Sequence, residues 1–337
     1  MWGRGARGAA LGRSLGMLLG AVFDAVVGGV RDAVVRPALG AAVCLALAAH
    51  QSAGQAAGAP APVVGWTVLR PGLEQGELTV AAGRGGLAAI DARAPGRWTA
   101  LPVRVVLVRV DPRRFAIRLH AAARPAGGAG PWDLDAAPAG AALAVNAGQF
   151  TDVAPWGWVV HEGRELQPPG TGALAGALVI DTAGVARVLG AGAIPAARAG
   201  GAVREAVQSY PALLEGDGRM PDALRADGRG VDRYHRDARL AVGELRDGRL
   251  LFALTRFAPV DGSVDGPDGA VARAFGRLPF GLTTPETAVL LAALGARRAV
   301  LLDGGLSAQL LARDAAGRVR RWDGLRKVPL GLVALPR

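Results

Sequence analysis

Thr283–Leu311, TTPETAVLLAALGARRAVLLDGGLSAQLL, is the stretch from which the fold is read. It predicts a helix, a buried strand and a sharp turn in succession. Thr284 is a good N-cap, and Pro285 suits the first helical turn, where its missing N–H leaves nothing unpaired. Ala288, Leu291 and Leu294 follow at helical spacing, and Gly295 stops the run. Ala299-Val300-Leu301-Leu302 is short, apolar and free of polar alternation, as a strand covered on both faces is. It delivers Asp303 to a strand end, with Gly304, Gly305 and Ser307 behind it. A carboxylate there, beside two residues that let another backbone come close, suits chemistry. Asp-Gly is equally an ordinary hairpin turn, so the rest of the chain has to decide.

At 337 residues the chain has room for one large or two modest domains with an ample core. A composition 51% hydrophobic and 20% charged is globular rather than disordered. The net charge is +11, yet of the 39 basic residues only Lys327 is a lysine. Basic clusters are small: Arg113-Arg114, and the run from Arg318 to Lys327. Each has one aromatic neighbour, Phe115 or Trp322, short of the stacking platforms of a nucleic-acid groove. No nucleic-acid partner is expected, although surface arginine suits an anionic substrate. Cys44 stands alone, which excludes an intrachain disulfide and a cysteine metal cluster.

Residues 37–49, PALGAAVCLALAA, have the length of a signal-peptide apolar region and are short for a membrane span. Arg31 and Arg36 precede them, and a small, polar segment follows from His50 to Pro62. Residues 1–57 are therefore read as a signal or membrane-proximal segment with linker, and 58–337 as the working domain. The expected location is exported, periplasmic or extracellular, with membrane association through the N-terminal segment as a variant.

The remainder reads as β-rich. Trp66–Leu69 is a first strand, and VRVVLVRV (103–110) a strong one, with FAIRL (115–119) after Asp111-Pro112 as its hairpin partner. Residues 121–142 read as a loop with a weak helix around Trp132. LAVNAGQF (143–150) ends in Asn146, whose amide both donates and accepts, and Gly148, which admits a ligand or another backbone. In WGWVVHEG (156–163) the paired tryptophans either stack on a sugar or belong to the core, and His161 is a surface or structural residue rather than a catalytic one. Ala177–Asp181 and Val185–Leu189 form a hairpin about Gly184. Residues 217–238 read as a charged, solvated loop without metal-ligand spacing, so no metal is expected. Arg239–Gly243 and Leu250–Leu254 form a hairpin about Asp247-Gly248. Residues 258–281 are a lid or disordered. The expected fold is α+β: mixed, mostly antiparallel sheets built from hairpins with few helices.

Four stretches in order, LAVNAGQF (143–150), VQSYPALLEGDG (207–218), ARLAVGELRDGRLLFALTR (238–256) and residues 281–311, resemble the phosphodiester glycosidase domain. The resemblance implies a hydrolase that splits a sugar-1-phosphodiester at the glycosidic C1–O bond, releasing sugar and a phosphomonoester. It implies a phosphorylated saccharide of the envelope or an exopolysaccharide as substrate, and it names no cofactor. Asp303 is then the carboxylate facing the anomeric carbon, where positive charge gathers. Arg239 and Arg256, at one end of the predicted hairpin, would grip the phosphate. Asn146, Gly148, Gln208, Tyr210, Gly304, Gly305 and Ser307 would contact sugar or phosphate. Asp152 and Glu244 are options for a second carboxylate. The chain departs from the family pattern at Gln149, Leu301 and Leu306, usually an aromatic, Asn and Gly. These departures motivate the alternative of a non-catalytic carbohydrate-binding or exopolysaccharide assembly protein.

Overall fold

The computed structural model describes residues 62–83, 86–89, 101–123, 129–151, 154–225, 231, 234–257 and 279–337. The leader, Asp152 and residues 258–278 of the expected lid lie outside them. The largest sheet runs Gly65–Arg70, Leu73–Gly83, Leu101–Val110, Leu250–Phe257, Arg239–Leu245, Ala296–Leu301, Ala212–Leu214. Gly86–Ala89 adds to Leu73–Gly83. A second sheet runs Arg164–Gln167, Val159–His161, Val203–Ser209, Gly176–Asp181, Ala186–Gly190. A third runs Val319–Trp322, Leu310–Arg313, Leu143–Asn146, Gly331–Pro336, Phe115–His120.

The expected mixed sheet is instead antiparallel at every strand pairing among the described residues. Helix Thr284–Ala293 does connect two strands of the large sheet, Leu250–Phe257 and Ala296–Leu301. Arg239–Leu245 lies between those two and runs opposite to both, so no parallel pair forms. The protein is thus mostly β, with few helices.

The predicted hairpin of VRVVLVRV with FAIRL does not form. Leu101–Val110 is paired on one side with Leu73–Gly83 and on the other with Leu250–Phe257, which leaves no free edge. The chain turns at Asp111, whose carboxylate accepts from the Arg113 N–H at 3.0 Å, and Phe115–His120 joins the third sheet beside Gly331–Pro336. The hairpins about Gly184 and Gly248 form as predicted, and both glycines have positive φ. The weak helix expected around Trp132 is replaced by a bridge to Val328, with the indole fully buried and a short 3-10 turn, Leu134–Ala136, after it.

Helix Thr284–Ala293 is capped by Thr283, one residue earlier than expected. Glu286 decides this: its N–H donates to the Thr283 hydroxyl at 3.3 Å and its carboxylate accepts from the Thr283 N–H at 2.9 Å. Such a capping box stabilises a helix start by about 1 kcal/mol. Gly295, at φ +88°, then turns the chain into the next strand.

The central strands of the large sheet are buried on both faces, which explains their apolar runs. Val106, Val108, Leu240, Val242, Phe252 and Leu254 face a core shared with the other two sheets. Their neighbours Val105, Leu107, Ala241, Leu251 and Ala253 pack under Leu290 and Leu291 of the helix. Each such Val or Leu side chain contributes roughly 1.5–3 kcal/mol on burial. No helix among the described residues is long and apolar enough to cross a membrane.

Candidate active site

Strands from all three sheets end together at Asn146, Ser209, Arg239 and Leu301. Asn146 is 0% exposed. Its Nδ2 donates to the Asp303 carbonyl at 2.7 Å, and its Oδ1 accepts from the Gln309 N–H at 2.9 Å. The Asp303 N–H donates to Ala147 O at 3.2 Å. The amide expected to touch substrate is therefore committed to holding the Asp303 turn against the end of Leu143–Asn146.

Gln208 is committed in the same way. It is 0% exposed, its Oε1 accepts from the N–H groups of Trp158 (2.7 Å) and Gly170 (2.8 Å), and its Nε2 donates to Gly170 O at 2.9 Å. Gly148 packs against the backbone of the same strand: a Cβ there would stand 2.5 Å from Gln208 O. Both residues bring two strand ends together. Trp158 is core, with Nε1 donating to Glu165 at 3.0 Å. His161, for which no partner was evident in the sequence, pairs with the buried Glu205 at 3.0 Å.

Gly304 and Gly305 make the close approach that matters. A Cβ on Gly304 would lie 2.6 Å from Ala238 O, and one on Gly305 would lie 2.9 Å from Oδ2 of Asp237. Gly305 has φ +59°, and its N–H donates to Ala238 O at 2.8 Å. The DGG turn thus lies on residues 237–239 and brings Asp237 to Asp303. Neither glycine needs a ligand to explain it.

Both carboxyls are buried for most of their surface and held above the ordinary carboxylate range. At Asp303 burial is the main cause and the Asp237 charge adds to it; hydrogen bonds from Ser307 and the Gly304 N–H, and the charge of Arg326, pull the other way. Ser307, 2% exposed, therefore orients Asp303. At Asp237 burial again dominates, opposed by Arg239, by His235 and by the Ala238 N–H. His235 Nε2 stands 3.7 Å from Asp237 Oδ2.

Asp237 escaped the sequence reading because residues 217–238 looked like a solvated loop. In the fold Arg236 forms a two-pronged pair with Glu286, both contacts 2.7 Å, and this anchors the segment to the helix start. Glu244, an option for the second carboxylate, lies towards the opposite end of its strand, where it pairs with Arg297 and accepts from the Val188 N–H.

Arg239 and Arg256 share an end of the sheet but not a face. Arg239 is registered opposite Thr255, so Arg256 points to the other side. Arg239 donates to Leu282 O at 3.1 Å and His235 O at 2.8 Å, which holds the Asp237 segment in place. Arg256 is buried and donates to Ala308 O and Trp322 O. Tyr210 packs edge-on against Trp156, ring centres 6.3 Å apart, and burial raises its phenol pKa. Gln149, where the family usually has an aromatic, donates to Tyr210 O at 2.6 Å. Among the described residues no group of three or more His, Cys, Asp or Glu side chains gathers as metal ligands would.

The phosphodiester glycosidase family model matches residues 139–335. The chain belongs to this family. The match takes in Asn146, Asp237 and Asp303 alike. No curated protein matches the chain. Among the solved structures that share the fold of this chain, two are described. One is the zebrafish N-acetylglucosamine-1-phosphodiester α-N-acetylglucosaminidase catalytic domain, auto-inhibited by its pro-peptide. It has TM-score 0.55 and 15% identity, over 82% of this chain and 88% of that one. The other is a hypothetical protein from Synechocystis, with TM-score 0.53 and 17% identity. The aligned part covers 82% of this chain and 64% of the length of the Synechocystis protein.

Proposed function

We propose that this member of the phosphodiester glycosidase family hydrolyses a sugar-1-phosphodiester at its C1–O bond. The observation that carries the reading is the pair of largely buried carboxyls, Asp303 and Asp237, brought together by the DGG turn. When the C1–O bond breaks, the bridging oxygen and its electron pair leave with the phosphate, and C1 becomes electron-poor. Water supplies the new C1–OH bond, and its displaced proton passes to a carboxylate and on to the phosphomonoester product.

Asp303 is assigned as the ionised carboxylate beside C1. Its hydrogen bonds from Ser307 and Gly304 suit that form. Asp237, whose Oδ2 stands 3.7 Å from the exposed His235 ring, is assigned as the group that holds and passes on the proton. A phosphate is a good leaving group, so modest proton donation suffices. Trp156 and Tyr210 offer aromatic surface for a sugar face. The substrate is taken to be an envelope or extracellular glycan, and the N-terminal residues to direct export.

The test uses the full-length protein with a panel of sugar-1-phosphodiesters, following reducing sugar and phosphomonoester together. Equal release of both, lost in Asp303→Asn and Asp237→Asn, is expected. Release of sugar-1-phosphate instead would place the cut on the other side of phosphorus and overturn the reading. Saccharide binding with no turnover across the panel would favour a binding protein of the same fold.

A further inference from the structure

The reading above needs a cation for the phosphate, and the two arginines singled out in the sequence spend side-chain donors on carbonyl groups. Arg236 is likewise taken by Glu286. The basic run from Arg318 to Lys327 divides in the same way. Arg318 pairs with Asp314, Arg320 donates to Gln75, Arg321 pairs with Asp323 and Asp135, and Lys327 pairs with Asp133.

Arg326 is different. Among the described residues its side chain meets no acid and no carbonyl; the guanidinium carbon lies 4.7 Å from the centre of the Phe150 ring. An aromatic face holds a guanidinium without consuming its N–H donors. The residue is exposed, and its charge acts on Asp303. Its position is set by main chain. The N–H groups of Leu325 and Arg326 both donate to Leu306 O, at 2.7 and 3.0 Å. Gly324 lets this strap lie flat, because a Cβ there would come within 3.1 Å of Leu306 O and Ser307 O. Residues 324–326 are thereby fixed to the same short turn that carries Asp303 and Ser307.

Resting on the hydrolase reading, we propose that Arg326 is the phosphate-binding residue, its guanidinium fork spanning the two non-bridging oxygens of the diester. The fork matches two oxygens of one phosphate, which an ammonium does not. As the C1–O bond breaks, the phosphate gains negative charge. A cation already fixed beside it then stabilises the transition state more than the bound substrate. Arg326 therefore acts on kcat as well as on KM. Phe150 positions it.

The experiment has a binding arm and a kinetic arm, both on the full-length protein. Calorimetric titration with methyl phosphate is done on Asp303→Asn and on Asp303→Asn combined with Arg326→Ala. The second change is expected to weaken binding roughly 10- to 100-fold, the span of a charged hydrogen-bonded contact. Arg326→Lys should recover part of the loss. Arg318→Ala, an exposed arginine paired with Asp314, should change nothing. Equal binding with and without Arg326, or no binding to either, overturns the proposal. In the kinetic arm Arg326→Ala should lower kcat/KM for a phosphodiester far more than for a 4-nitrophenyl glycoside of the same sugar. An equal loss on both substrates also overturns it. Arg326-dependent binding without any turnover would leave the anion site standing and remove the hydrolase reading instead. Because the side chain is exposed, Arg326→Ala is expected to keep the wild-type melting temperature, which confirms that each arm reads the site.

Discussion

Asn146→Ala separates a framework residue from a substrate ligand. The side chain is 0% exposed and makes two main-chain hydrogen bonds, 2.7 Å to the Asp303 carbonyl and 2.9 Å from the Gln309 N–H. Alanine leaves both groups buried without their partner. Each such loss costs about 1–3 kcal/mol, and the small cavity adds to it. The expected destabilisation is about 3–5 kcal/mol, a large part of the roughly 5–15 kcal/mol that holds a domain folded. Urea unfolding followed by tryptophan fluorescence should show a lower midpoint with an unchanged slope, and melting should fall by on the order of 10 °C. Activity should fall with it, because the freed carbonyl belongs to Asp303. A substrate ligand would behave otherwise: stability would hold while KM rose. An Asn146→Ala protein with a wild-type midpoint and weakened substrate binding would refute the framework role.

Three further outcomes follow from the same geometry. Burial raises the carboxyls of Asp303 and Asp237 above their ordinary value of 3.8, so ionising them opposes folding. That opposition is absent well below 3.8, grows as pH rises towards the folded value, and persists above it. Asp303→Asn should therefore melt higher than wild type at neutral pH, with the gap closing in acid; a gap that widens in acid would reverse the sign. Gly305→Ala should cost about 1–3 kcal/mol through its φ of +59° and should also displace Asp237, abolishing turnover. Gly317→Ala, at φ +82° with open space around it, should show the strain in a melting scan and keep the activity. Arg256→Ala should lose about 2–4 kcal/mol in chemical denaturation by freeing the Ala308 and Trp322 carbonyls, while KM changes little. A KM rise at constant stability would return Arg256 to the phosphate.

Local pattern in the sequence already determined much of this protein. Helix Thr284–Ala293, its neighbouring strand and the hairpins about Gly184 and Gly248 are short-range structures, written in periodicity, caps and turn residues. Asp303 at a strand end, and the family itself, were legible for the same reason. What the tertiary structure alone decided is which polar groups remain for chemistry. Asn146, Gln208 and Arg256 were chosen as polar residues at strand ends, but burial committed them to carbonyl and amide groups of distant segments. FAIRL lost its expected partner because strands far along the chain had taken both edges. Asp237 and Arg326 carried no local signal. One sits in a charged stretch and the other in a basic run, and only the packing of Gly304, Gly305 and Gly324 against neighbouring main chain brings them to Asp303. Long-range contact sets burial, and burial sets both the pKa of a carboxyl and the donors an arginine has left to offer.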